Sequence, residues 1–121
     1  MQNAAQAYGA VARQTANPRE LEANLLLRAA SQLQAVYDGW ERASLDLELA
    51  LRYNRKLWSI FLTTVTRPEN PLPEQVRQNV ANLGVFVMSQ TVTILRNPTR
   101  ERLGTLININ RELAAGLMGR A

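Results

Sequence analysis

The sequence has no cysteine and no histidine, and Lys56 is its only lysine. These gaps exclude thiol redox chemistry and disulfide staples, and they remove the commonest metal ligands and the commonest general base at neutral pH. A hydroxyl such as Ser59, Thr63 or Thr64 therefore has no obvious neighbour to take its proton. There is no glycine-rich phosphate loop and no zinc-type spacing. Glu41, Asp46 and Glu48 lie at or beside a predicted helix start, where carboxylates favour the helix dipole. The composition argues against an enzyme, and it calls for no cofactor or metal.

Long hydrophobic runs are missing too. Nothing approaches the roughly 18 uninterrupted apolar residues of a membrane span. The start, Met1-Gln2-Asn3-Ala4-Ala5-Gln6-Ala7-Tyr8, has neither the basic region nor the apolar region of a secretory signal. The expectation is a cytoplasmic protein with no membrane partner. Its 121 residues, 46% of them apolar, suit one domain with one core.

Aromatic residues make up only 6% of the chain, which bears on how its charge is read. Residues 1–50 carry four Arg against six acids, for −2, and residues 51–121 carry ten bases against four acids, for +6. Thirteen of the fourteen bases are Arg, suited to bidentate pairing with carboxylates and phosphates. An RNA-binding or acidic-partner surface is one reading of the basic half; solvated helix faces are the other. No aromatics alternate with the Arg residues as base-stacking platforms would.

Prolines are few and act as punctuation, at positions 18, 68, 71, 73 and 98. Asn17-Pro18-Arg19-Glu20 reads as an Asn cap with proline in the first turn, and Asn97-Pro98 repeats the device. Arg67-Pro68-Glu69-Asn70-Pro71-Leu72-Pro73 is too proline-rich for a helix to cross. Between the breaks, apolar residues recur at helical spacing.

Leu21, Leu25, Ala29, Leu33, Val36 and Tyr37 give one face to a first helix over 18–38, which Gly39 would end in the left-handed conformation. Leu47, Ala50, Leu51, Asn54, Leu57, Trp58, Phe61 and Val65 do the same for a second helix over 42–66. Its further apolar residues Leu45, Leu49, Ile60 and Leu62 predict burial on more than one side and a central place in the fold.

A third helix is expected over 73–96 through Val76, Val80, Leu83, Val87, Thr91, Ile94 and Leu95, with Gly84 open to the close approach of another helix. Its β-branched Val85, Val87, Thr91, Val92, Thr93 and Ile94 would also suit a strand, but strict alternation is missing. A fourth, over 98–118, presents Leu103, Leu106, Ile107, Asn110, Leu113, Ala114 and Leu117, with Gly119 as terminator. Residues 3–15 suggest a short amphipathic helix with Ala4, Tyr8, Val11 and Ala12 on one face. The predicted class is all-α: a four-helix antiparallel bundle over 18–121 with a short N-terminal helical arm over 1–17.

Two Asn-Arg pairs, Asn54-Arg55 and Asn110-Arg111, each set an asparagine into the apolar stripe of a predicted helix. A buried amide costs stability unless something hydrogen-bonds it. Asn54 and Asn110 could bond to each other across the bundle, cap a neighbour, or wait in a groove for a partner's backbone. Trp58 lies on the same stripe, as a packing residue or a binding hot spot. Arg55 and Arg111 sit at the stripe's rim, placed for an ion pair or for a packed stem with a wet head. The candidate partner-binding residues are Asn54, Arg55, Trp58, Asn110 and Arg111.

Across nearly the whole chain these residues resemble the FlaF family of flagellar biosynthesis proteins. The resemblance rests on Ala7-Tyr8, Pro18-Arg19-Glu20 with Glu22, Asn54-Arg55-Lys56-Leu57-Trp58, Asn70 with Leu72-Pro73, and Leu106-Ile107-Asn108-Ile109-Asn110-Arg111 followed by Gly116-Leu117. The chain departs from the family pattern at Asn108, where members carry an acid. The resemblance implies a small helical regulator that supports flagellin synthesis and export as a secretion chaperone would. It would bind flagellin and work alongside the translational regulator FlbT. The implied mechanism is helix-in-groove binding between the second and fourth helices, with Arg55 and Arg111 at the rim. RNA is the rival partner, and a self-associating homodimer is the alternative to a monomer.

Overall fold

The computed structural model describes residues 18–42 and 44–119. The arm expected over 1–17, and Asn17 as a cap, lie outside the described residues. Four α-helices run through the rest, with no strand among the described residues. They are α1 (Pro18–Asp38), α2 (Ser44–Val65), α3 (Glu74–Arg96) and α4 (Arg100–Leu117), and a single 3-10 turn (Trp40–Arg42) joins the first two.

Each helix packs on its neighbours in the chain, and α1 closes the ring onto α4. Contact is most extensive between α1 and α4 and least between α3 and α4, and α2 and α4 stand diagonally opposed. The connections are short, so neighbours run antiparallel, as expected of an up-and-down bundle. None of the helices among the described residues is long and apolar enough to cross a membrane.

The buried face of α1 is Ala23, Leu26, Ala29, Ala30, Leu33 and Val36. Expected core residue Leu21 is 48% exposed, and Leu25 and Tyr37 are only partly buried. The stripe is centred on small residues because three alanines let α4 approach closely, whereas a leucine at each turn would hold it off. Arg100, at the start of α4, clamps this pair: it stacks 4.4 Å from the Tyr37 ring centroid and donates from Nε to the Tyr37 carbonyl at 3.0 Å.

The predicted core stripe of α2 is buried throughout, but its second apolar side is not. Leu45, Leu49 and Ile60 are exposed, so α2 occupies a corner of the bundle rather than its middle. Leu62 is the exception. A Cβ added to Gly84 would stand 2.5 Å from Leu62 Cδ2, so the missing side chain of Gly84 makes room for Leu62 of α2. α3 is helical despite its β-branched run, and Thr91 is buried by donating its hydroxyl to the Val87 carbonyl at 2.7 Å. Val76 and Leu95, expected in its core stripe, are exposed.

Local signals at the helix ends succeed unevenly. Pro18 opens α1 and Gly119 closes α4 with φ of +75°, as their chemistry favours. Gly39 is not left-handed: its N–H bonds the Ala35 carbonyl at 3.1 Å and the chain continues into the 3-10 turn without reversing. Asn97 ends α3 instead of starting α4, donating its N–H to the Thr93 carbonyl at 2.9 Å. The following proline holds it out of the helical region, and α4 starts after Thr99. In the proline-rich connection, Asn70 accepts from the Leu72 N–H at 3.0 Å and donates to the Thr64 carbonyl at 3.2 Å, tying the loop to the end of α2.

Candidate functional site

At mid-bundle the two asparagines of the Asn-Arg pairs meet. Trp58 donates its indole N–H to Asn110 Oδ1 at 2.9 Å, and Asn110 Nδ2 donates to Asn54 Oδ1 at 2.7 Å. Asn110 Nδ2 also reaches the Leu26 carbonyl of α1 at 3.4 Å. Asn110 is therefore a hub linking α1, α2 and α4, and the Trp58 ring is further fixed edge-on to Phe61 at 5.7 Å and 90°. Asn54 Nδ2 is left without a partner.

Asn54, Trp58 and Asn110 are each 0% exposed. The space between α2 and α4, expected as a groove for a partner, is the closed core of the bundle because these helices are diagonal. The partner contact expected at Asn54, Trp58 and Asn110 therefore has no surface to act through. Of the readings open from sequence, the fold takes the network across the bundle.

Arg55 and Arg111 are both exposed but do not border one groove. Arg111 donates to Gln34 Oε1 at 3.1 Å, bridging α4 to α1. Arg55 lies on the α3 side of α2, seven residues before Leu62 on the same helical edge. The five candidate residues thus divide into a buried triad and two surface arginines on opposite flanks.

Chemically the triad contains two amides and an indole, none of which titrates near neutrality. Among the described residues no group of three or more acids could hold a metal ion. Glu22 lies in an apolar crevice at the end of the bundle with Phe61, Val65, Leu72 and Val80. Burial raises its pKa above the usual carboxylate range, and the positive charge of Arg19 partly offsets this.

Sequence reasoning missed the hydrogen bonds of Arg100 and Arg111 to α1, since nothing in a linear pattern marks a cross-helix partner. It also missed an exposed apolar stripe on α3 through Val85, Val92 and Leu95. That signal is a second heptad spacing, masked in the sequence by the β-branched character of Val85 and Val92 and by the fit of Leu95 to the core stripe.

Compared with known proteins, residues 4–117 match the sequence model of a family described as flagellar protein FlaF. The chain belongs to the FlaF family. No curated protein and no solved structure matches it. The match takes in all four helices and both Asn-Arg pairs, so the buried triad and the bundle it closes lie within the family unit.

Proposed function

We propose that this FlaF-family protein is a flagellin-binding, secretion-chaperone-like factor that masks flagellin's amphipathic helices in the cytoplasm and so supports flagellin synthesis and export. Family membership supports the flagellar setting. The observation carrying the binding reading is that large apolar residues remain exposed along α3, Val85, Val92 and Leu95 among them, around a core already closed by the Asn110 network. Apolar surface that folding does not use is what an amphipathic helix needs to bury its own apolar face. Docking is then on the outside of the bundle, with Arg55 as the candidate residue still available to it.

The RNA reading has less behind it. In the basic half, Arg52 pairs with Glu48, Arg77 donates to the Arg67 carbonyl, Arg100 engages Tyr37 and Arg111 engages Gln34. Calorimetric titration of flagellin into the protein tests the proposal. Binding at micromolar concentration or tighter is expected, weakening by no more than a few-fold between about 50 and about 200 mM salt, because apolar burial dominates and few counterions are released. Absence of heat at micromolar concentrations would overturn it.

A further inference from the structure

Helix α3 carries two apolar stripes. Val80, Gly84, Val87, Thr91 and Ile94 are buried in the core. Ala81, Val85, Met88, Val92 and Leu95 form the other, advancing by four, three, four and three residues, the seam spacing of a coiled coil. This second stripe faces outward: Val85 is 65% exposed, Val92 45% and Leu95 46%, with Ala81 and Met88 half-buried. It extends along about 21 Å of helix. A four-helix bundle needs one buried stripe per helix, so this one is surplus to the fold.

The edge of α2 forms one wall beside it. Leu62 packs over Gly84 at one end. At the other end Glu48 and Leu95 line the same half-open cleft of about 590 Å³, together with Trp40, Leu47 and Pro98. Glu48, Arg55 and Leu62 are seven residues apart in turn, so they share one edge of α2, with Arg55 midway along it. The carboxylate of Glu48 is already paired with Arg52 at 3.0 Å, and Glu41 and Arg42 at the cleft offset each other. Among the described residues, Arg55 of α2 and Arg96 at the end of α3 are exposed at the two edges of the stripe without an ion pair. The groove is apolar in its floor and cationic at its rims.

We infer that this outer α2–α3 groove is the docking site for an amphipathic helix of a partner protein whose apolar residues follow the same three-four spacing and whose flanks carry acids. The spacing selects a helix lying nearly parallel to α3, since seams of this period pack at a shallow crossing angle of about 20°. The cationic rims select the acidic flanks. A second copy of this chain fits less well. Face-to-face pairing sets Arg55 and Arg96 against their like. A bundle also meets only the ridge, about 200 Å² if one helix width is about 10 Å, against about 800 Å² per partner in stable dimers. The identity of the partner as flagellin, and with it the test of the groove, rests on the function proposed above.

The test titrates flagellin into the full chain and three variants: Val85→Asp/Val92→Asp, Arg55→Glu, and Leu45→Asp as an exposed leucine off the stripe. The double substitution should weaken binding by about thirtyfold or more, as loss of an interface's central apolar anchors does. Arg55→Glu should weaken it about three- to tenfold, and Leu45→Asp by less than about twofold. All the substituted residues are exposed, so circular dichroism melts should stay close to that of the unmodified chain. If the unmodified chain binds and the double variant binds as tightly, the groove is elsewhere and the flagellin reading survives. If the unmodified chain does not bind, both fall. A dimer in light scattering that the double variant dissolves would name a second copy as occupant and overturn the inference. So would a loss of stability in the double variant that Tyr8→Asp reproduces, which would name the chain's own N-terminal segment.

Discussion

Trp58 and Asn110, 52 residues apart in the sequence, share a 2.9 Å hydrogen bond across the diagonal of the bundle. It joins α2 to α4, two helices that otherwise have little contact, and it explains why a polar residue occupies each of two core stripes. Asn110→Leu keeps the volume but leaves the Trp58 N–H and the whole Asn54 amide buried without partners, at a cost of about 2–4 kcal/mol. Asn54→Leu removes a group whose Nδ2 is already unpartnered and leaves Asn110 its Leu26 bond, so it should cost about 1 kcal/mol or less. Urea unfolding followed by circular dichroism gives the order, and the reverse order would deny Asn110 its role as hub.

At the α2–α3 contact, Gly84→Ala sets two effects against each other. Alanine gains roughly 1 kcal/mol in helix propensity, while its Cβ would stand 2.5 Å from Leu62 Cδ2 and 2.7 Å from Leu62 Cγ. Overpacking of this kind costs about 1–3 kcal/mol, so the net should be a destabilisation of about 1 kcal/mol. In a Leu62→Ala background the clash is gone and the same substitution should be neutral or stabilising. A double-mutant cycle from thermal melts measures the coupling.

Glu22 supplies a pH dependence. Because burial raises its pKa, the folded chain keeps this proton to a higher pH than the unfolded chain does. Between the two pKa values the folded state binds more protons, so this group's contribution to stability falls as pH rises above the ordinary glutamate range and levels off above the folded value. Glu22→Gln removes that loss, and the variant should gain on the unmodified chain between about pH 4 and about pH 7. Melts at the two pH values test this; a gain in the opposite direction would mean that Arg19 outweighs desolvation.

The helices and the identity of the core stripes were legible in the sequence because 3.6-residue periodicity is a strong local signal, as in Leu103, Leu106, Ile107, Asn110 and Ala114, all buried. What the period does not fix is how close neighbours come. The Ala23-Ala29-Ala30 face of α1 wins over Leu21 because α4 packs tightly there. Leu45, Leu49 and Ile60 are exposed against expectation because hydrophobicity alone cannot tell a buried leucine from one on an outer face. The place of Asn54 and Asn110 in apolar stripes predicts buried amides in need of partners, and both are fully buried. That Asn110 bonds Trp58, Asn54 and the Leu26 carbonyl, and so closes the space offered to a partner, depends on α2 and α4 being diagonal, which no linear pattern states.

Amide hydrogen exchange of the protein with and without flagellin tests most directly whether the partner lies outside a core that stays shut. The account predicts new protection along residues 81–95 of α3 and the facing edge of α2, with the segments around Asn54 and Asn110 exchanging as slowly in the complex as in the free chain. Faster exchange around Asn54 and Asn110 on binding would show the bundle opening to admit its partner, and would contradict the account.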